Sequence, residues 1–302
     1  MSRNLAASVR QRLTNLARKT HRPFQEVLQY FAMERFLYRL AQSPAASRFV
    51  LKGALMFTAW GAPASRPTRD IDLLARMENT VEAVEAAVRA ICGVIVEPDG
   101  LVFHGTSVKG EAIKEDADYS GVRITFLATL ENARVPMQID LGFGDVVTPR
   151  ATRMEYPVLL DFAAPRLLGY PRETVVAEKF EAMTKLGLLN SRMKDFYDLW
   201  LLSRRFDFEG ATLATAIRKT FEHRGTSVAV LPTALTKRFG GDAAKQAQWR
   251  GFVIKTKLAD VTDSLQAVID DLVPFLIPVA EAIADETGFD RQWRARGPWQ
   301  GK

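Results

Sequence analysis

Cysteine occurs once in 302 residues, at Cys92. A single thiol allows no intrachain disulfide and no cysteine-built zinc site. Histidine is nearly as scarce. His21, His104 and His223 lie far apart and form no His-x-x-x-His pair, which argues against a histidine metal centre and a Ser-His-Asp triad. Long uninterrupted apolar runs are also missing. The stretch MSRNLAASVRQRLTNLARKT lacks the apolar core of a signal peptide. The most apolar late stretch, LQAVIDDLVPFLIPVAEAIA, carries Asp270, Asp271 and Glu281. It reads as a packed helix broken near Pro274 and Pro278, not as a membrane span. A cytoplasmic protein without a membrane partner is therefore expected. Internal repeats and low-complexity tracts are absent as well.

What is present describes a globular chain. It is 47% hydrophobic and 25% charged, enough for a sizeable core in one large domain or two ordinary ones. The formal net charge is +6 and the pI about 9.5, a balance that suits an anionic partner such as nucleic acid. Helical spacing marks residues 4–20 and 24–41. The segment RFVLKGALMFTAWG reads as a short strand turning into a helix at Lys52-Gly53-Ala54. DIDLLAR reads as a strand and residues 80–91 as a helix. VRITFLATL (122–130) and VPMQIDLGFG (135–144) read as a hairpin joined by ENAR. Proline-containing loops follow, up to Pro171. Beyond 173 only helices are expected: ETVVAEKFEAMTKLG stopped by Gly187, SRMKDFYDLWLLSRRF with Ser191 as N-cap, then 210–221, 226–238, 242–255 and 262–285. This order predicts a boundary near 150–172, between an α/β domain over 1–160 and a helical domain over 161–302.

The chemistry centres on Asp70 and Asp72. On a strand, residues i and i+2 share a face, so Ile71 and Leu73 enter the core while the two carboxylates project together. Such a pair raises one carboxyl's pKa unless a cation neutralises it. Magnesium, which prefers oxygen ligands and phosphates, is the economical cation. Two ordinary surface acids would be the plain alternative. Three features weigh against it. Asp140 and Gln138 share a strand face in VPMQIDLGF, so a third carboxylate can converge as ligand or general base. Gly53 offers a phosphate close access to backbone at a turn, followed by the small Ala54. Lys179 on one helix can meet a triphosphate, with Asp195 or Asp198 of the next helix orienting it; an interhelical salt bridge is the structural alternative. Arg10, Arg12, Arg18, Lys19 and the tail RQWRARGPWQGK are candidate phosphate contacts, against the plainer reading of a solvated basic helix face. Trp293 and Trp299 either stack on bases or seal the C-terminal helices.

Together FVLKGALMF, RPTRDIDLL, MQIDLGFGD, VAEKFEAM and RMKDFYDLWLL, spread over residues 5–205, resemble the AbiEii/AbiGii toxin family. This is a nucleotidyltransferase-like family of the DNA polymerase β-like superfamily that includes the mycobacterial MenT toxins. The resemblance implies an α+β fold: a nucleotidyltransferase-like mixed β-sheet flanked by helices, with a helical C-terminal part. It implies that Asp70 and Asp72 ligate Mg2+ on an NTP. Thr68 takes the family's Ser/Thr position, whose hydroxyl is associated with the active site and, in some systems, with inactivation by phosphorylation. Lys179 and Asp195 match the motif lysine and aspartate, with Asp198 beside them, and Lys52, Gly53, Ala54 and Arg69 fall on the nucleotide-binding segments. Gly53-Ala54 departs from the usual Gly-Gly or Gly-Ser. Relatives transfer nucleotides to the 3′ end of tRNA or belong to abortive-infection systems against phage, and are usually encoded with a cognate antitoxin. An NTP, tRNA and an antitoxin are thus the implied partners. Transfer to a protein or small molecule, a non-catalytic nucleotide-binding module, and self-modification at Thr68 or Ser65 are the alternatives.

Overall fold

The computed structural model describes residues 2–62, 67–116, 119–258 and 261–301; Ser65 and Arg66 lie outside them. The chain divides into two compact units, Met1–Gly144 with Thr152–Gly169, and Asp145–Ala151 with Tyr170–Lys302.

The first unit opens with α1 (Ser2–Thr20) and α2 (Phe24–Gln42). There follow β1 (Phe49–Lys52), α3 (Leu55–Ala59), β2 (Asp70–Ala75), α4 (Val81–Cys92), β3 (Leu101–Asp116), β4 (Tyr119–Leu130), β5 (Ala133–Phe143), β6 (Thr152–Glu155) and β7 (Arg166–Gly169). Among the described residues these strands form one seven-stranded sheet in the order β3-β4-β5-β2-β1-β7-β6. β2 is parallel to β5 and β1 to β7, while the other neighbours are antiparallel. The sheet is mixed and flanked by helices, as expected.

The expected hairpin forms with a tighter turn. Leu130 pairs with Ala133, leaving Glu131 and Asn132 to reverse the chain, Glu131 at φ +51°. β3, β6 and β7 are additions to the sequence-based reading. A register shift between His104 and Lys109 breaks the period-two alternation that would have revealed β3. β6 and β7 are four residues each, inside the segment read as proline-containing loops.

α2 packs on β5, β7 and α4, and is buried far beyond one apolar stripe. Glu34, Arg35 and Arg39 are all buried. Arg39 forks onto Asp99 at 2.6 and 3.0 Å. Arg35 donates twice to the Ala163 carbonyl, and Glu34 accepts from the Leu159 amide at 2.7 Å. Burial pushes the Glu34 carboxyl up to about 7, against the lowering pull of the Leu159 amide and Arg35. A folded-state pKa above the unfolded value means that the folded protein keeps its proton longer, so stability falls as pH rises from the unfolded value toward about 7. Glu34→Gln is expected to remove this slope. In urea unfolding, wild type should lose about 2 kcal/mol more than the variant between about pH 5 and 8; parallel slopes would contradict the assignment.

The second unit contains α5 (Arg172–Leu186), α6 (Met193–Arg205), β8 (Phe208–Glu209), α7 (Gly210–His223), α8 (Lys237–Gly240), α9 (Ala243–Thr256), α10 (Leu265–Ala284), β9 (Arg291–Trp293) and β10 (Trp299–Gly301). It is mainly helical but not exclusively so, because β8, β9 and β10 form a small antiparallel sheet. Residues 226–238 do not form the expected helix. The chain there is irregular up to a 3-10 turn at Thr233–Leu235, with Pro232 before it. α10 runs unbroken through Pro274 and Pro278. Each proline removes one backbone bond, but Leu272, Phe275, Leu276 and Val279 are fully buried, and their packing holds the helix. Ser191 is not the cap of α6. Arg192 occupies that position without a side-chain cap, and its amide donates to Asn190 Oδ1 at 2.8 Å.

The tail closes this unit. Trp293 Nε1 donates to the Ser203 carbonyl at 2.7 Å and Trp299 Nε1 to the Phe275 carbonyl at 3.0 Å, with the Trp299 ring stacked on Phe275. Both tryptophans are buried, so base stacking by this pair is overturned in favour of sealing. No helix among the described residues is long and apolar enough to cross a membrane.

Candidate active site

The sheet register assembles the first cluster. β2 pairs with β5 so that Asp70 lies opposite Gln138 and Asp72 opposite Asp140. β1 sets Lys52 opposite Asp72, and β4 sets Arg123 opposite Asp140. One cross-strand row therefore reads Arg123, Asp140, Asp72, Lys52, and Glu111 of β3 extends it beyond Arg123. The adjacent row on the same face reads Thr125, Gln138, Asp70. Ile71, Leu73, Ile139 and Leu141, at the alternate positions, are buried beneath.

One carboxylate oxygen from each of Asp70, Asp72 and Asp140 lies within 4.8 Å of the other two. Three hard anionic oxygens at that separation suit a divalent cation of the magnesium type. The neighbours are fitted to them. Thr68 Oγ1 hydrogen-bonds Asp70 Oδ1, and the Thr68 amide donates to the Tyr30 hydroxyl at 3.1 Å. Gln29 Nε2 donates to the carbonyls of Arg69 and Pro136, tying together the chain just before β2 and within β5. The Arg69 side chain itself is exposed, whereas Lys52 is buried. Gly53 has φ +69°, and a Cβ placed there would lie 1.9 Å from Asp72 Oδ2. The helix it opens, α3, has only five residues. The role of Gly53 seen here is thus to make room for a carboxylate. Ala54 beside it is buried.

Asp140 is held firmly. Arg123 Nε and Nη2 each donate to one of its oxygens at 2.8 Å, and Gln138 Nε2 approaches both at 3.2 and 3.3 Å. Arg123 is the residue that reading the sequence missed. Its signal was its place as the charged residue on the polar face of VRITFLATL, in register with Asp140 once the turn is fixed.

The second cluster belongs to the second unit. Lys179 of α5 donates to Asp195 Oδ1 at 2.6 Å and lies 2.9 Å from Asp198 Oδ2, both aspartates on α6. Arg192 Nε lies 2.8 Å from Asp195 Oδ2. Asp195 is fully buried. Burial alone would raise its carboxyl, but Lys179 and Arg192 outweigh burial and hold it below the usual carboxylate value. The interhelical salt bridge considered for Lys179 is therefore present, and it joins both aspartates. Of the candidate phosphate contacts, Arg10 pairs with Glu131, Arg12 with Asp161 and Arg294 with Asp207. Arg18 and Lys19 are exposed at the end of α1.

A mixed sheet bearing three convergent carboxylates in register on adjacent strands suits an enzyme that handles phosphates with a divalent cation. The family model for the nucleotidyl transferase AbiEii toxin of type IV toxin–antitoxin systems matches residues 35–271, and the chain belongs to this family. The match runs into α10, well beyond the motifs recognisable by eye. Two Helicobacter pylori structures are similar. JHP933 is 14% identical with a TM-score of 0.50, covering 87% of this chain and 93% of its own. A candidate nucleotidyltransferase is 15% identical with a TM-score of 0.44, covering 87% and 96%. No curated protein matches the chain. Membership of a toxin–antitoxin family brings with it a nucleotide substrate and an antitoxin partner.

Proposed function

We propose that this toxin-type nucleotidyltransferase transfers a nucleotide from an NTP to the 3′ end of tRNA and so blocks translation. The observation that carries the chemistry is the register placing Asp70, Asp72 and Asp140 side by side on β2 and β5. The net charge of +6 favours an anionic acceptor over a cationic small molecule. Asp70 and Asp72, with Asp140 as third ligand, would hold magnesium, which when bound supplies charge neutralisation for the triphosphate and for the entering 3′-oxygen. Both Asp140 oxygens accept from Arg123, so neither is turned toward a hydroxyl proton, and the general-base role is not assigned to Asp140. Thr68 orients Asp70, and Gly53 leaves Asp72 its space. Lys179 and Asp195 are assigned to the nucleotide, as the family resemblance implies, with Asp198 sharing the lysine. In the transfer, the 3′-oxygen bonds to the α-phosphorus as the bond to the β-phosphate's bridging oxygen breaks. Pyrophosphate leaves and the hydroxyl proton passes to water.

The test is transfer of label from each α-labelled NTP to total tRNA in the presence of magnesium, beside Asp70→Ala. Label on tRNA with wild type, reduced by a factor on the order of 10³ or more in the variant, is the expected result. Label on protein or on nothing, with nucleotide still bound, would overturn the tRNA acceptor and leave the triad's role standing.

A further inference from the structure

The row Glu111, Arg123, Asp140, Asp72, Lys52 crosses five neighbouring strands. In it and its adjacent row, four carboxylates, Glu111, Asp140, Asp72 and Asp70, face two cations, Arg123 and Lys52. The protein's own side chains therefore neutralise the triad in part, and most directly at Asp140. Arg123 does this in the most directional way available, with a planar fork onto both oxygens of Asp140 at 2.8 Å. Gln138 Nε2 contacts the same two oxygens. A carboxylate offers about four lone-pair positions, and this arrangement leaves Asp140 little donor capacity for an ion. Arg123 is also half-exposed, and its cross-strand neighbour on the far side is Glu111. The guanidinium thus has a second anion to turn to, and an open path to an entering phosphate.

We infer that Arg123 is a positioning residue that guards Asp140 against a lone divalent cation, so that the site takes up its ion together with the nucleotide's phosphates rather than beforehand. The triphosphate then supplies both oxygens for the ion and a new anionic partner for Arg123. This inference rests on the triad being the metal site of the proposed function, and it specifies the order in which that site fills. It also accounts for the spacing of the row. An arginine opposite the third carboxylate and a lysine opposite the second keep three close carboxylates tolerable in the nucleotide-free protein, where mutual repulsion would otherwise strain the sheet.

The experiment is Mn2+ titration of the full chain followed by electron paramagnetic resonance, with and without a non-hydrolysable nucleoside triphosphate. Wild type, Arg123→Met, Arg123→Lys and Asp72→Asn are compared. Without nucleotide, wild type should bind Mn2+ weakly, and Arg123→Met at least about tenfold more tightly. Arg123→Lys, which keeps the charge and loses the fork, should fall between. With nucleotide, wild type and Arg123→Met should converge. Circular dichroism melts confirm that each variant is folded; Arg123→Met, which leaves the buried Asp140 carboxylate without its cation, should melt below wild type but remain folded at the temperature of the titration. Equal or weaker Mn2+ binding by folded Arg123→Met in the absence of nucleotide would overturn the guarding role while leaving the metal site intact. Mn2+ binding that is unaffected by Asp72→Asn in every condition would overturn the metal site, and the inference with it.

Discussion

Gly53→Ala is expected to lower nucleotide transfer by a factor on the order of 10² to 10³ while leaving the protein folded. Two effects act at this position and can be separated. The backbone sits at φ +69°, where a Cβ costs about 1 kcal/mol. That penalty is a matter of stability and does not touch the chemistry. The second effect is local: the added Cβ would fall 1.9 Å from Asp72 Oδ2 and 2.6 Å from its Cγ. The Asp72 Cβ, 2.7 Å away, is too close as well, so turning the carboxylate is not enough and the β1–β2 pairing must give with it. Asp72 would then leave the row that sets it beside Asp140, and the trio of oxygens would open. Gly61→Ala is the control. Gly61 has nearly the same φ, +68°, with nothing within 4 Å of its would-be Cβ, so it suffers the backbone penalty alone. Gly61→Ala should lose only the small backbone penalty and Gly53→Ala more than that, and only Gly53→Ala should lose Mn2+ binding and transfer. Wild-type metal affinity and rate in Gly53→Ala would show that Asp72 is not a ligand.

The contrast between these glycines shows which parts of the site could be read in advance. The shared face of Asp70 and Asp72 follows from strand alternation alone, and the structure repeats it. The row linking Arg123 to Asp140 was nearly legible. The turn needed only to be read as Glu131-Asn132 instead of a four-residue link, after which counting back along both strands pairs the two residues. The neighbourhood of β2 and β5 has no such local signal, because parallel strands are joined by a long crossover and their register is set by the core. α2 was legible as a helix, but its buried charges were not. Glu34, Arg35 and Arg39 find their partners at Asp99, Leu159 and Ala163, more than fifty residues away, so helical periodicity alone would put them on the solvent side. The unbroken α10 misleads in the opposite sense. Local proline chemistry argues for a break, and burial of Leu272, Phe275, Leu276 and Val279 overrides it. Local rules thus served where both partners sit on one element or one hairpin, and failed where distant segments supply the energy.

Lys179→Met should destabilise the second unit by about 3 kcal/mol, whatever it does to activity. Lys179 is the cation that Asp195 and Asp198 share at 2.6 and 2.9 Å, and both carboxylates are buried. Removing one partner of a buried ion pair leaves charge in a poor solvent, which costs more than the pair ever contributed. The pH dependence follows from Asp195, whose carboxyl is held below its usual value by Lys179 and Arg192 in opposition to burial. A depressed folded-state pKa stabilises the fold above the unfolded value, and that contribution is lost as pH falls through the folded one. The deficit of Lys179→Met should therefore be largest near neutral pH and shrink on acidification, as wild type loses what the variant never had. Urea unfolding across that range measures it, and a constant deficit would contradict the linkage. A triple variant, Lys179→Met with Asp195→Asn and Asp198→Asn, tells structure from catalysis. The buried carboxylates are then gone and the charge that loses a partner is the part-exposed Arg192, so the variant should recover much of the lost stability. If it folds and still fails to transfer label, the cluster acts on the nucleotide. If it folds and transfers at the wild-type rate, Lys179 is a strut between α5 and α6, and the nucleotide role assigned to it falls.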